Sequence, residues 1–250
     1  MTGKELSLRR DRRALLAALA AASLVCWAWT ARMAAEMAAA SGHAHAHGAG
    51  PGATGGLAAL FVMWAVMMAG MMIPPEVPTV LEVARARRER LGRSPLPAAA
   101  AFVGGYLLPW IAFSLAAAWL QQQLETRDLL GPDMATRSKA LSAALLLAAG
   151  AIQLSPVKRA CLERCRAPRP AAGDSTLAAL AGGLRTSAIS IASCGVLMLV
   201  LFVTGVMSLP WMGLVTALLV VERLAPRRFR VPAAAGGLLL GWGVWTALGG

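Results

Sequence analysis

Long apolar runs with few or no charges alternate along this chain with short stretches of charged, proline or glycine residues. Seven runs stand out, at residues 14–31, 57–74, 98–120, 140–157, 186–207, 209–223 and 232–249. A helix needs about 20 apolar residues to cross roughly 30 Å of hydrocarbon. A backbone inside lipid must satisfy its own hydrogen bonds, which leaves helices or closed barrels, and the two-residue alternation of a barrel strand is missing. The pattern therefore predicts an all-α, polytopic helical membrane protein with about seven transmembrane helices. The run from Leu209 is short and opens at Pro210 and Trp211 after a turn from Met207, so it reads as the return arm of a hairpin.

Charge adds a direction to this pattern. Twenty of the 24 Lys and Arg residues fall before the first run, after the second and fourth, at the end of or after the sixth, or at Arg185, which opens the fifth; Arg32, Arg127, Arg137 and Lys139 are left on the other side. Basic residues mark cytoplasmic loops, so the N-terminus is expected in the cytoplasm and the C-terminus outside. The first run resembles a signal peptide, and its cleavage would leave six helices. Arg32 and Glu36, between that run and the small residues Ala38–Ala40, argue for retention. Four parts follow: a basic N-terminus with the first helix (1–31), an outer loop with His and Met (32–56), a core of five helices (57–224), and a basic loop with the last helix (225–250). The composition fits, with 58% hydrophobic and 14% charged residues, against about a quarter charged in soluble domains. A net charge of +12 would raise nucleic acid as a partner in a soluble protein. Here the basic residues sit between spans, where they meet lipid headgroups, and no nucleic-acid partner is expected.

Candidate chemistry is concentrated in His, Met and Cys. All three histidines, His43, His45 and His47, alternate with alanine in the outer loop. Neutral imidazole ligates Zn, Cu and Ni, so the segment is a candidate acquisition site, although a solvated loop with incidental histidines has the same sequence. The second run carries Met63, Met67 and Met71 four residues apart, with Met68 and Met72 beside them. Thioether sulfur suits Cu(I), while methionine also fills gaps between helices. Pro74, Pro75 and Pro78 are expected to end or kink this helix and to free backbone carbonyls near Glu76, a functional candidate as a carboxylate within a span.

The cysteines divide by location. Cys161 and Cys165 share a face if their basic cytoplasmic segment is helical, and the neighbouring cations would lower their pKa. In a reducing cytosol, metal ligation or a redox role outranks a disulfide. Cys194 lies eight residues into the fifth run, roughly 12 Å deep, with Met198 one turn on and Met67 and Met68 at similar depth. Cys26 reads as a small apolar residue. Gln153 and Glu222 are suited to bonds between helices, and the pairs Gly104–Gly105, Gly182–Gly183 and Gly236–Gly237 to close helix approach. Trp27, Trp29, Trp110, Trp119 and Trp211 fall near expected interfaces.

No nucleotide-binding loop, dinucleotide fingerprint, nucleophile elbow or zinc-protease motif is present, so no enzymatic activity is expected. Three stretches carry a family resemblance: Met63 to Pro74, Ala149 to Pro168, and Cys194 with Met198 through Gly205 to Met212. On these the chain resembles a bacterial family of predicted metal-binding integral membrane proteins, a domain of unknown function. Where relatives usually carry further Cys, and often His, this chain has Thr186, Ser190 and Ser193. The resemblance implies a multi-pass protein of the bacterial inner membrane with a metal site. The residues and the resemblance together lead to the expectation of a protein that handles a soft transition metal, with a copper ion as cargo. Its partners would be the bilayer, the metal ion and a membrane or periplasmic protein. The expected ligands are His43, His45 and His47 outside, Met67, Met68, Met71, Met72, Cys194 and Met198 within, and Cys161 and Cys165 at the cytoplasmic exit. A structural or assembly subunit without metal and a small-solute transporter are the competing classes.

Overall fold

Each apolar run becomes helical, and several helices outrun the run that predicted them. The computed structural model describes residues 3–47, 56–92, 94–131, 134–166, 175–226 and 229–249, with backbone alone for 3–8, 38 and 40–47. Along the described residues the order is α1 (Gly3–His47), α2 (Leu57–Leu91), α3 (Leu96–Glu125), α4 (Lys139–Leu154), α5 (Pro156–Arg166), α6 (Thr176–Leu199), α7 (Leu201–Thr204), α8 (Leu209–Leu224) and α9 (Val231–Ala247). The all-α expectation holds across these residues.

Four stretches are long and apolar enough to cross a membrane: Arg9–Met37, Leu57–Leu91, Leu96–Glu125 and Thr176–Thr204. A fifth is reached only if α4 and α5 count together across a 62° bend. Among the described residues, four or five helices thus have the length and composition of a full span, fewer than the seven expected. The runs at 209–223 and 232–249 form helices of 16 and 17 residues, about 24–26 Å long at 1.5 Å per residue. Ser155 makes the bend: its hydroxyl donates to the Ile152 carbonyl (2.7 Å) and accepts from the Lys158 amide (3.1 Å), closing one helix and opening the next.

The prolines of α2 do not end it. The helix continues through Pro74, Pro75 and Pro78 to Leu91. Pro74 has no N–H to offer the carbonyl four residues back, and that carbonyl, on Gly70, instead accepts bonds from Ser23 Oγ and Trp27 Nε1 of α1, both at 3.2 Å. Gly70 also lets α1 come close, because a Cβ there would stand 3.1 Å from Cys26 Cβ. A buried carbonyl left bare would be costly; α1 removes that cost and docks on α2 by doing so. Trp27 is thus a hydrogen-bonding contact between helices.

The main core gathers the α2 methionines with Tyr106, Trp110, Cys194, Met198 and Phe202. Trp110, expected at an interface, is buried within it, at 1% exposure. Gly105 of α3 and Gly183 of α6 bring these two helices into backbone contact: a Cβ on Gly105 would fall 2.2 Å from the Leu180 carbonyl oxygen, and one on Gly183 would fall 2.1 Å from that of Phe102. The neighbouring Gly104 faces open space. The chain reverses between α7 and α8 at Gly205, whose φ of 90° needs glycine.

Candidate metal site

α5 determines where the site lies. Its sequence is too polar for a span, yet three of its residues at spacings of three and four, Lys158, Cys161 and Cys165, form one face. That face is turned inward, and all three are buried. Burial pushes the Cys165 thiol up to about 11, outweighing the downward pull of the Arg223 guanidinium. The lowered pKa expected from the basic surroundings is therefore reversed at Cys165.

Behind this face lies a cavity of about 20 Å³, room for a single water-sized occupant. Three sulfur-bearing side chains line it: Met72 of α2, Cys165 of α5 and Cys194 of α6. Ser190 and Ser193 also line it. Cys194 Sγ donates to the Ser190 carbonyl at 2.9 Å, and the Ser190 hydroxyl lies 3.6 Å from Cys194 Sγ and 3.3 Å from the Tyr106 hydroxyl.

Two buried ion pairs close the cavity. Lys158 Nζ lies 2.7 Å from Glu222 Oε2 and donates to the Ser193 carbonyl at 3.3 Å. Gln153 Nε2 donates to the other Glu222 oxygen at 2.8 Å. Arg223 pairs with Glu76, and its second nitrogen reaches Thr79 Oγ1 and the Cys165 carbonyl, both at 3.4 Å. The bonds between helices expected of Gln153 and Glu222 are present. Lys158 and Arg223, which fall among the basic residues expected in cytoplasmic loops, instead form ion pairs inside the protein. The missed signal is positional, since Lys158 shares its face with both cysteines.

The expected ligands separate into groups. Met72, Cys165 and Cys194 line one cavity. Met67, Met68, Met71 and Met198 are buried in the adjoining core. Cys161 is buried on the α5 face but does not line the cavity. The backbone of α1 is helical through His47, while the side chains of His43, His45 and His47 lie outside the described residues. Among the described residues no three His, Cys, Asp or Glu side chains come together as a metal-binding group. Metal chemistry at the cavity thus rests on two thiols and one thioether. That donor set suits soft Cu(I) and ill suits hard divalent ions.

A family model described as a copper chaperone, PpoB2, matches residues 61–246. The matched region contains every residue of the cavity. No match was found among curated proteins or among solved structures.

Proposed function

The chain belongs to the PpoB2 copper chaperone family, and from that premise we propose that it holds Cu(I) in the cavity between Met72, Cys165 and Cys194. The observation that carries this reading is the convergence of two cysteines and a methionine from three separate helices on a space for one small occupant. Thiolate and thioether are the protein donors that favour the monovalent ion. The Cys194 proton now held by the Ser190 carbonyl would leave as the ion arrives, because the ligand is the thiolate. We assign the protein no catalysis, since its chemistry is ligand exchange.

We further propose that it is a multi-pass protein of the bacterial inner membrane, N-terminus inside, with α8 and α9 completing a seven-crossing bundle as short spans. The four long apolar helices support this reading. So do large apolar side chains left exposed on the outside, including Leu24, Val25, Leu238 and Trp245, which in water would form patches that monomers avoid. On this topology His43, His45 and His47 collect the ion on the outer side by imidazole ligation, and α5 lies on the cytoplasmic side. Copper handling is favoured over a metal-free assembly role or small-solute transport by family membership together with the sulfur-lined cavity.

The test is anaerobic Cu(I) titration of the purified protein in detergent against a chromogenic chelator. Stoichiometric binding is expected. Replacing Cys165 and Cys194 together with Ser should weaken it by more than the about 10–100-fold that outer-shell changes cost. Unaltered affinity in that variant would remove the site.

A further inference from the structure

A second cavity, of about 350 Å³, opens beside the sulfur site. The two share the wall residue Leu162 of α5 and are joined through a hydrogen bond: Gln153 lines the outer space, Glu222 lines the inner one, and Gln153 Nε2 donates to Glu222 Oε1 at 2.8 Å. Gln153 is 2% exposed, and its carbonyl oxygen Oε1 has no hydrogen-bond partner. A buried amide oxygen without a partner is uncommon enough to need a reason, and here it belongs to a side chain on the wall of an open cavity. The volume suits a small molecule, whereas the inner site admits about one atom.

Among the described residues, the rim carries Arg159 and Arg230, both exposed, and the carboxylate Glu163. A bare cuprous ion is repelled by such a rim. An anionic complex, in which two thiolates on one Cu(I) carry a net negative charge and the thiol bodies bear carboxylates, is attracted to it. We propose that this outer cavity is the docking mouth for a small carboxylate-bearing thiol that brings or removes Cu(I) as an anionic dithiolate complex, with Leu162 and the Gln153–Glu222 bond as the partition the ion crosses. The inference rests on the sulfur-site reading above. Transfer is ligand exchange at constant oxidation state. As Cys165 and Cys194 form bonds to copper, the two carrier sulfurs break theirs, and each departing thiolate takes the proton of the cysteine that replaces it. No oxidant or reductant is consumed.

Stopped-flow loading of the detergent-solubilised full chain tests this, with Cu(I) supplied either as its glutathione complex or as its cationic acetonitrile complex. Arg159→Ala with Arg230→Ala should slow loading from glutathione by about tenfold at low salt, lose that effect at high salt, and leave loading from acetonitrile and the equilibrium affinity unchanged. Leu162→Ala should speed loading from both. Equal loading of the arginine variant and the wild type from glutathione, in protein that still binds Cu(I) and remains sensitive to Cys165→Ser with Cys194→Ser, overturns the mouth and spares the sulfur site. Failure of the wild type to bind Cu(I) from either source overturns both. An equal slowing from the two sources also overturns the mouth, because a structural defect does not distinguish the charge of the complex.

Discussion

Replacing Gly105 with Ala tests whether the backbone contact between α3 and α6 holds the Cys194 side of the cavity in place. The new Cβ would begin 2.2 Å from the Leu180 carbonyl oxygen, and ordinary contact begins at 3.4 Å, so the helices must part by about 1.2 Å, the difference between the two. The obstructing atom is backbone, which has no rotamer to escape into. Overpacking of this kind costs about 1–3 kcal/mol, offset by the roughly 0.5–1 kcal/mol that alanine contributes over glycine inside a helix. Gly104→Ala is the matched control, one position away in the same helix and facing open space. The propensity contribution is common to both variants, so their difference isolates the steric cost. At about 2–4 °C per kcal/mol for a chain of this size, Gly105→Ala should melt about 2–12 °C below Gly104→Ala, as followed by tryptophan fluorescence in detergent. Because Ser190 and Cys194 ride on α6, only Gly105→Ala should also weaken Cu(I) binding. Coincident melting curves for the two alanine variants would refute the close-packing argument.

Two further outcomes follow from the site. Lys158→Met leaves a buried carboxylate without its ammonium partner, and breaking such a pair costs about 3–5 kcal/mol; chemical denaturation should register the loss, with most of it recovered in Lys158→Met combined with Glu222→Met. A variant keeping Cys165 as its sole cysteine should react slowly with maleimide at pH 7–8. The thiolate is the reactive form and burial, the largest cause of the raised thiol pKa, is kept in this variant, so the rate should still be climbing about tenfold per pH unit at about pH 9; a plateau there would contradict the burial argument.

Helices were legible in the sequence wherever apolar runs approached or exceeded a membrane's thickness, as in α2, α3 and α6. The number of full-length spans was not, because α8 and α9 stop just short and because a bend divides α4 from α5, and composition alone does not report length or direction. The pass of α2 through its prolines depended on Ser23 and Trp27, donors more than forty residues away, which no local pattern contains. Around the site, residue type pointed to Cys and Met, but which of them meet is a tertiary fact: Met72 reaches the cavity and Met67 does not. Lys158 was hidden by its chemistry. A lysine in a basic segment reads as solvated, and only its shared face with Cys161 and Cys165 could have marked it as buried.

On the membrane topology proposed above, the unbroken α2 is a ruler laid across the bilayer. From Leu57 at the outer boundary, a rise of 1.5 Å per residue puts Met72 about 22 Å down and Glu76 about 28 Å down, close to the far edge of a roughly 30 Å hydrocarbon layer. Arg85 falls at about 42 Å, past the headgroups of the opposite leaflet and in the aqueous phase. The sulfur cavity is therefore far from central. An ion resting beside Met72 has roughly three-quarters of the low-dielectric layer between itself and the periplasm and only a thin remainder between itself and the cytosol. The energetic hill to either side is correspondingly lopsided, and a bound ion meets the lower slope toward the face that carries α5.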